Sequence, residues 1–200
     1  GSFCVIEADE SDGSIALYSP AVALVNSITL DHNPVEELRP LFADFVARAS
    51  VGAVLNADCP ETAALKDKNQ NVMTYSIRGA DADLKAENLT PTQTGISFML
   101  DGEKINLLLP GHHNVSNALA ALSAAEMIGI PRSDAVRALE TFKGIHRRTE
   151  IVGTTPKQIT VIDDFAHNPE KIAASLEALK EHEGRLIIIY QPHGFGPTRM

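Results

Sequence analysis

Short apolar runs alternate with segments of helical periodicity along the first third of the chain, and this alternation limits the fold more than any other feature. The runs have the length of buried strands, and the segments between them repeat apolar residues every three to four positions. Such a β-α-β rhythm predicts a mostly parallel, twisted sheet. Pro40 is tolerable only in the first turn of its helix. The predicted strands are 3–6, 21–25, 51–56 and 72–77, and the predicted helices are 38–47 and 61–65.

The pattern changes after residue 82. Alternating apolar segments flank the dipeptide Asp101-Gly102, which is the strongest short-range hairpin signal. We therefore expect residues 82–110 to add an antiparallel edge to the sheet. Two helices follow: one covers 114–129, and the next begins near a possible cap at Ser133.

A second β-α-β unit is predicted in the last quarter of the chain, after a basic connector at 144–155. The fold class is accordingly α/β, with one domain at 1–148 and another at 149–200. The predicted elements of the second unit are a strand at 159–162, a helix over 172–179 and a strand at 186–190.

Charge and composition exclude several function classes. A net charge of −9 argues against a nucleic-acid backbone as partner, since that would need a basic face. Phosphorylated small molecules remain possible, because local arginines, metal ions and backbone N–H groups hold phosphate. Two cysteines make no disulfide framework, no apolar run approaches the roughly 18 residues of a membrane span, and no signal peptide opens the chain. A cytoplasmic protein without membrane insertion is expected.

The two ends of the sequence are unusual. Gly1-Ser2 is a common remnant of tag removal and leads at once into a predicted strand, and the chain stops soon after the run at 186–190. A fold that stops just beyond a buried strand leaves neighbouring layers unbuilt. We expect a fragment of a longer protein, the alternative being a small natural protein with short tails.

An acidic cluster follows the first predicted strand. Glu7 opens a six-residue run with four carboxylates, and Asp31-His32 follows the second predicted strand. Because ligands gather at the carboxyl ends of strands in open α/β sheets, Glu7 and His32 could converge on one hard cation. Mg²⁺ suits such a sparse site, since substrate phosphates supply further ligands. The alternative is a solvated acidic loop and an unrelated surface histidine.

Two further clusters each have a functional and a structural interpretation. Asn114 and Asn117 lie three residues apart on one face of a helix, and an amide offers the donor and acceptor that a purine edge needs. Alternatively, Asn114 only caps the helix. Arg147-Arg148 lies where the two predicted domains meet, and a guanidinium binds phosphate bidentately. Alternatively, this pair is a solvated basic linker.

A third cluster combines acids with a turn. Asp163 and Asp164 follow a predicted strand, where a carboxylate can accept hydrogen bonds from ribose hydroxyls. Asn168-Pro169 is an ordinary helix start, but two adjacent acids at a strand end favour a functional interpretation. The sequence contains no zinc-ligand spacing, no arrangement that supports a Ser-His-Asp triad, and no Gly-x-x-x-x-Gly-Lys phosphate loop.

Taken together and in this order, the clusters resemble the Mur ligase family, the ATP-dependent amide-forming enzymes of peptidoglycan synthesis. The resemblance is closest to the branch that adds L-alanine to UDP-N-acetylmuramate and to the related murein tripeptide ligases. It implies a partial central ATP-binding domain followed by the start of a Rossmann-like domain. The motifs are Glu-Ala-Asp-Glu-Ser-Asp (7–12), Leu-Asp-His (30–32), Gly-His-His-Asn-Val-Ser-Asn-Ala-Leu-Ala-Ala (111–121), Arg-Arg (147–148), Asp-Asp-Phe-Ala-His-Asn-Pro (163–169) and Gln-Pro-His (191–193).

The resemblance implies a role for each matching residue. Catalysis would depend on Glu7 and His32, as ligands of Mg²⁺ beside the ATP phosphates, and on Arg148, which would reach the phosphates. The family activates a carboxylate as an acyl phosphate, which the incoming amine attacks. Mg²⁺ and cationic groups offset charge on the transferring phosphoryl group, and domain closure keeps water from the acyl phosphate.

The resemblance also implies binding residues for nucleotide and acceptor. Asn117 would meet the adenine with support from Asn114, Asp164 would bind the ribose, and His167 would belong to the same cofactor-binding set. His193 would lie where the incoming amino acid or peptide docks. ATP and Mg²⁺ would be the cofactors, and the partners would be a UDP-N-acetylmuramate-type substrate and an amino acid or peptide.

Two departures from the family pattern keep alternatives open. The phosphate loop and the N-terminal UDP-binding domain are missing from the sequence, so we expect these 200 residues alone to be inactive. Gln-Pro-His-Gly stands where the alanine-adding branch usually reads Gln-Pro-His-Arg-Tyr, and two expected substrate arginines are therefore absent. The acceptor stays undecided. The alternatives are a related ligase acting on another carboxylate, of the folylpolyglutamate type, and a non-catalytic nucleotide-binding module.

Overall fold

The structure, a computed structural model, describes residues 3–8, 10–11, 13–29, 33–92, 95–167, 169–180 and 184–191. Its main feature is a six-stranded sheet in which the strands lie in chain order. The first four strands pair in parallel and the last two pairings are antiparallel, which confirms the α/β class with an antiparallel edge. The strands are β1 (Val22–Val25), β2 (Gly52–Asn56), β3 (Val72–Ser76), β4 (Leu84–Thr92), β5 (Gly95–Leu100) and β6 (Glu103–Leu107).

Helices cover both faces of this sheet. In β2, Val54 belongs to one apolar cluster and its neighbours Ala53 and Leu55 to the other, because successive side chains of a strand point to opposite faces. No helix in the described ranges is long and apolar enough to cross a membrane. The helices are α1 (Val35–Ala47), α2 (Pro60–Ala63), α3 (His112–Met127), α4 (Arg132–Thr141) and α5 (Pro169–Leu179).

The helix α3 is the element that carries the site against the sheet. Val115, Leu119 and Leu122 are buried at the spacing of one helical face. They pack with core residues of the central strands, including the buried Tyr75 and Val54. This apolar face fixes the rotation of the helix, and so it also fixes where its polar residues point.

The hairpin predicted at Asp101-Gly102 is present. Leu100 pairs with Glu103 across a two-residue turn. Asp101 and Gly102 have φ of 50° and 83°, the left-handed values that the tight turn of a right-twisted hairpin requires.

A second, two-stranded sheet follows α4. Its strands are β7 (Glu150–Thr154) and β8 (Thr160–Asp163), which pair antiparallel. The strand and helix predicted in 159–179 are therefore confirmed, but the connector prediction for 144–155 was wrong in its second half, which forms β7. Its apolar residues are too few to indicate a strand, and the pairing with β8 stabilises it instead.

Two predicted strands are not strands in the structure. The run at 3–6 has no regular structure and is exposed, with Val5 97% accessible, and the run at 186–190 is likewise exposed, with Ile189 95% accessible. An apolar run forms a strand only beside a partner with free backbone groups. No strand within the described ranges pairs with either run.

Two details of the helix starts also differ from prediction. Helix α1 begins at Val35, so Pro40 lies inside it and not in its first turn. Ser133 does not cap α4, because Pro131 precedes the helix and no side chain caps it. Proline fixes φ near the helical value and has no N–H to satisfy, so it sets the entry without a capping side chain.

Candidate active site

A cleft of about 680 Å³ lies at the carboxyl edge of the parallel strands. Its walls come from the residues after β1, the first turns of α3, the segment between α4 and β7, the end of β8 and helix α5. Four of the predicted residues line it together: Asn114, Asn117, Arg148 and Asp164. The sequence separates the first and last of these by 50 positions, and the fold brings them to one place.

The Asn117 side chain is held by a polar network that reaches the core. Its Oδ1 accepts a hydrogen bond from Nδ2 of Asn26 over 3.0 Å. Oδ1 of Asn26 in turn accepts from the hydroxyl of Tyr75, which is fully buried in β3. Burial raises the pKa of Tyr75 well above its usual range, so the hydroxyl keeps its proton.

Asn114 ties α3 to the loop before it. Its Nδ2 donates to the carbonyl oxygen of Pro110 over 2.7 Å. The residue that precedes α3 is Gly111, and no side chain caps the helix start, so the alternative interpretation of Asn114 as the cap was wrong. The amide supports the entry of α3 at the edge of the cleft.

Asp164 joins three parts of the chain through its carboxylate. One oxygen accepts from the N–H and the hydroxyl of Thr149 at 2.8 and 3.1 Å. The other accepts from the N–H of Ala166 at 2.7 Å and from the hydroxyl of Ser175 at 3.1 Å. Since a carboxylate offers about four acceptor positions, a ribose hydroxyl that binds Asp164 would replace one of these donors.

The two arginines of the connector have different surroundings. Nε of Arg147 lies 3.5 Å from a carboxylate oxygen of Asp163, and its guanidinium lies over the ring of Phe165 at 5.0 Å. Arg148 lies 6.0 Å from the same ring and lines the cleft. Within the part of the chain that the structure describes, no carboxylate is within ion-pair distance of Arg148, so its charge is available to an anionic ligand.

His113 was missed by sequence reasoning, although it directly precedes Asn114. It lines the cleft, and burial lowers its pKa below the ordinary value. Asn26, Thr149 and Ser175 were missed as well. The position of Asn26 directly after the β1 strand run could have indicated it, but the other two are ordinary residues that only the tertiary contacts identify.

The remaining predicted residues lie elsewhere. Glu7 is exposed and does not line the cleft. The run at 3–6 that precedes it is not a strand, so the predicted place of Glu7 at the end of a buried strand was wrong. His167 also lies outside the cleft lining, where Nδ1 is 3.1 Å from the carbonyl oxygen of Phe165. His32 and His193, like Asn168, are outside the described residues, and their predicted roles stay predictions.

The cleft has the size and lining of a nucleotide site, whereas the described residues do not form a metal site. Its volume is that of a small-molecule site, and its apolar wall, which includes Leu139 and Phe142, suits the face of a base. Asn117 and Arg148 add an amide and a cation. Among the residues whose placement is described, no three His, Cys, Asp or Glu side chains cluster. Glu7 is the one predicted Mg²⁺ ligand that the structure places.

Comparison with known proteins decides the family. The family model of the Mur ligase middle domain matches residues 1–125, and that of the Mur ligase glutamate ligase domain matches residues 147–196. The chain belongs to the Mur ligase family. The predicted resemblance is thereby confirmed.

The similar proteins are UDP-N-acetylmuramate–L-alanine ligases and related Mur ligases. The ligase of Acidithiobacillus ferrooxidans is 38% identical over 100% of this chain and 47% of its own length. The ligase of Dictyoglomus turgidum is 33% identical over 99% of this chain and 45% of its own. This Mur ligase chain thus spans about half the length of the curated relatives it matches.

Solved structures agree with this assignment. The UDP-N-acetylmuramate–alanine ligase of Thermotoga maritima superposes with a TM-score of 0.75 at 28% identity, covering 86% of this chain and 41% of its own. The murein peptide ligase of Psychrobacter arcticus superposes with a TM-score of 0.62 at 27% identity, covering 84% and 36%. Both branches of the family therefore share the architecture described above.

Proposed function

We propose that this chain supplies the ATP-binding part of a cytoplasmic Mur ligase. The ligase would form an amide bond between the carboxyl group of a UDP-N-acetylmuramate-type substrate and L-alanine or a peptide. Its curated relatives carry the name of the alanine-adding enzyme, which favours L-alanine. ATP and Mg²⁺ would be required, and neither nucleic acid nor membrane insertion would be involved.

The observation that carries the proposal is the convergence of Asn114, Asn117, Arg148 and Asp164 on one cleft. Asn117 presents an amide to the base, and Asn114 supports the helix start beneath it. Arg148, which has no ion-pair partner among the described residues, offers a cation for the phosphates. Asp164 binds the ribose: a sugar hydroxyl replaces one of the two hydroxyl groups that now donate to its carboxylate.

The reaction class sets what these groups must do. An oxygen of the muramyl carboxylate attacks the γ-phosphorus of ATP, and ADP leaves. The amine nitrogen then attacks the acyl carbon, phosphate leaves, and the nitrogen loses a proton. Arg148 offsets charge on the transferring phosphoryl group. Mg²⁺ would supply further charge compensation, and we propose Glu7 and His32 as its ligands.

The cleft also suggests how the site excludes water. We propose domains at 1–148 and 149–200, so that the cleft lies between them. Asn117 belongs to the first, and Asp164 and Ser175 belong to the second. A ligand that bridges both sides favours the closed arrangement, which protects the acyl phosphate from hydrolysis.

The test is amine-dependent phosphate release by the protein in its full natural length. ATP, Mg²⁺ and UDP-N-acetylmuramate are supplied with L-alanine and, separately, with the muropeptide tripeptide. Release that depends on one of these amines supports the proposal and identifies the acceptor. ATP binding without release in either mixture contradicts it and favours the non-catalytic module or another carboxylate substrate. R148A, expected to lower release by about 100-fold or more through lost charge stabilisation, ties the activity to the cleft.

A further inference from the structure

A chain of hydrogen bonds runs from the core to the Asn117 side chain at the cleft. The hydroxyl of Tyr75 donates to Oδ1 of Asn26, and Nδ2 of Asn26 donates to Oδ1 of Asn117 over 3.0 Å. Tyr75 is fully buried, Asn26 is half-buried and Asn117 is exposed to the cleft. The chain therefore connects an apolar interior to a ligand-facing amide.

The buried end fixes the direction of this chain. Tyr75 keeps its proton because burial raises its pKa. Its hydroxyl also has a hydrogen-bond contact with Ser116, and it donates its proton to Oδ1 of Asn26, as a buried hydroxyl proton needs an acceptor. An amide has one oxygen and one NH₂ group. With its oxygen bonded to Tyr75, Asn26 presents NH₂ to Asn117. Asn117 therefore accepts this hydrogen bond with its oxygen, which leaves its own NH₂ group facing the cleft.

Asn26 is also held through its backbone. Its carbonyl oxygen accepts a hydrogen bond from Nδ2 of Asn56 over 3.0 Å. Oδ1 of Asn56 accepts from the N–H of Asp58 over 2.9 Å, so this second amide has a fixed orientation too. Side chain and backbone of Asn26 are thus fixed by separate partners, which is the preorganisation that a precise binding site needs.

We propose that Tyr75 and Asn26 are positioning residues that hold Asn117 with its NH₂ group toward the cleft, so that the site selects a ligand edge carrying a hydrogen-bond acceptor. The inference rests on the proposed function, in which the ligand is ATP and the acceptor is a ring nitrogen of adenine. Tyr75 is buried and does not line the cleft, whereas Asn26 lines it beside Asn117. Both positioning residues act on base selectivity through the orientation of one amide.

The experiment compares ATP with 1-deaza-, 3-deaza- and 7-deaza-ATP, by calorimetric affinity with the protein in its full natural length. Each analogue lacks one ring acceptor. We expect one of them to bind the wild type about 2- to 12-fold more weakly than ATP, the fold-change for one neutral hydrogen bond. Equal binding of ATP and all three analogues contradicts the inference and leaves the proposed function intact.

Two variants test the positioning residues themselves. In N26D the carboxylate has only acceptors, so it accepts a hydrogen bond from the NH₂ group of Asn117. The oxygen of Asn117 then faces the cleft. The preference for ATP over the sensitive analogue should disappear. Y75F removes the hydroxyl and should reduce the same preference. Because all four nucleotides carry the same triphosphate, the ratio of affinities cancels the effect of the added charge on triphosphate binding.

The control is S27D, which adds the same charge to an exposed residue of the cleft lining without touching the hydrogen-bond chain. It should keep the wild-type preference. If N26D and Y75F both keep the wild-type preference for ATP, the inference is overturned. If S27D also loses this preference, the loss in N26D is an effect of charge, and the inference is overturned as well. Failure of the wild type to bind ATP at all overturns the proposed function together with the inference.

Discussion

Replacing Asp164 by asparagine should weaken the link between Thr149, Ala166 and helix α5. The carboxylate accepts four hydrogen bonds, two from N–H groups and two from the hydroxyls of Thr149 and Ser175. D164N offers one oxygen and one NH₂ group. A hydroxyl can rotate to accept from NH₂, but a backbone N–H cannot. Either orientation of the amide therefore leaves one N–H, that of Thr149 or that of Ala166, facing another donor.

The magnitude follows from this count. An unsatisfied buried N–H costs about 1–3 kcal/mol. Loss of the negative charge weakens the remaining bonds, whereas partial access of water to the half-buried Asp164 offsets part of the penalty. We expect local stability to fall by about 1–3 kcal/mol, which corresponds to about 5- to 150-fold faster amide exchange.

Native-state hydrogen exchange by NMR measures this effect directly. In D164N, the N–H of Thr149 or of Ala166 should lose protection by that factor. S175A is the matched control, because it removes one hydroxyl donor and leaves both N–H groups satisfied. Wild-type protection of both amides in D164N would refute the reasoning.

Two further predictions concern the packing of the cleft. G111A should cost about 2–5 kcal/mol of unfolding free energy, because Gly111 has φ of 92° and a Cβ there would lie 2.8 Å from Cβ of Ala178. G129A, with φ of 84° and open space, should cost only about 1–2 kcal/mol, and equal costs in urea denaturation would contradict this. Burial lowers the pKa of His113 below 6.5, so the unfolded chain binds the proton first and stability is lost as pH falls below that value. H113Q should flatten the dependence of melting temperature on pH between 5 and 7, and an unchanged slope would argue against the buried imidazole.

The regular elements of the fold could be predicted where local pattern and tertiary partner agree. The hairpin at Asp101-Gly102 depends on a turn that its own residues specify, and α3 follows from its apolar spacing. The runs at 3–6 and 186–190 have the same local character, but they are exposed. A strand is completed by its neighbour, and composition alone does not show whether a neighbour is present.

The site divides in a similar way. Asn117, Arg148 and Asp164 were predicted because they belong to motifs that resemble those of the Mur ligases, and the structure brings them to one cleft. Tyr75 could not be predicted, since a tyrosine in a strand indicates core and its hydroxyl contact depends on the register of β1 against β3. Supporting residues are specified by three-dimensional contacts, so one sequence alone does not reveal them.

The most direct test of the central claim is a crystal structure of the protein with Mg²⁺ and a non-hydrolysable ATP analogue. We predict adenine in the cleft within hydrogen-bonding distance of Nδ2 of Asn117, and phosphates on the side of Arg148. We also predict that the ribose replaces one donor of Asp164. An analogue bound outside this cleft, or an adenine whose edge faces the oxygen of Asn117, would contradict the account.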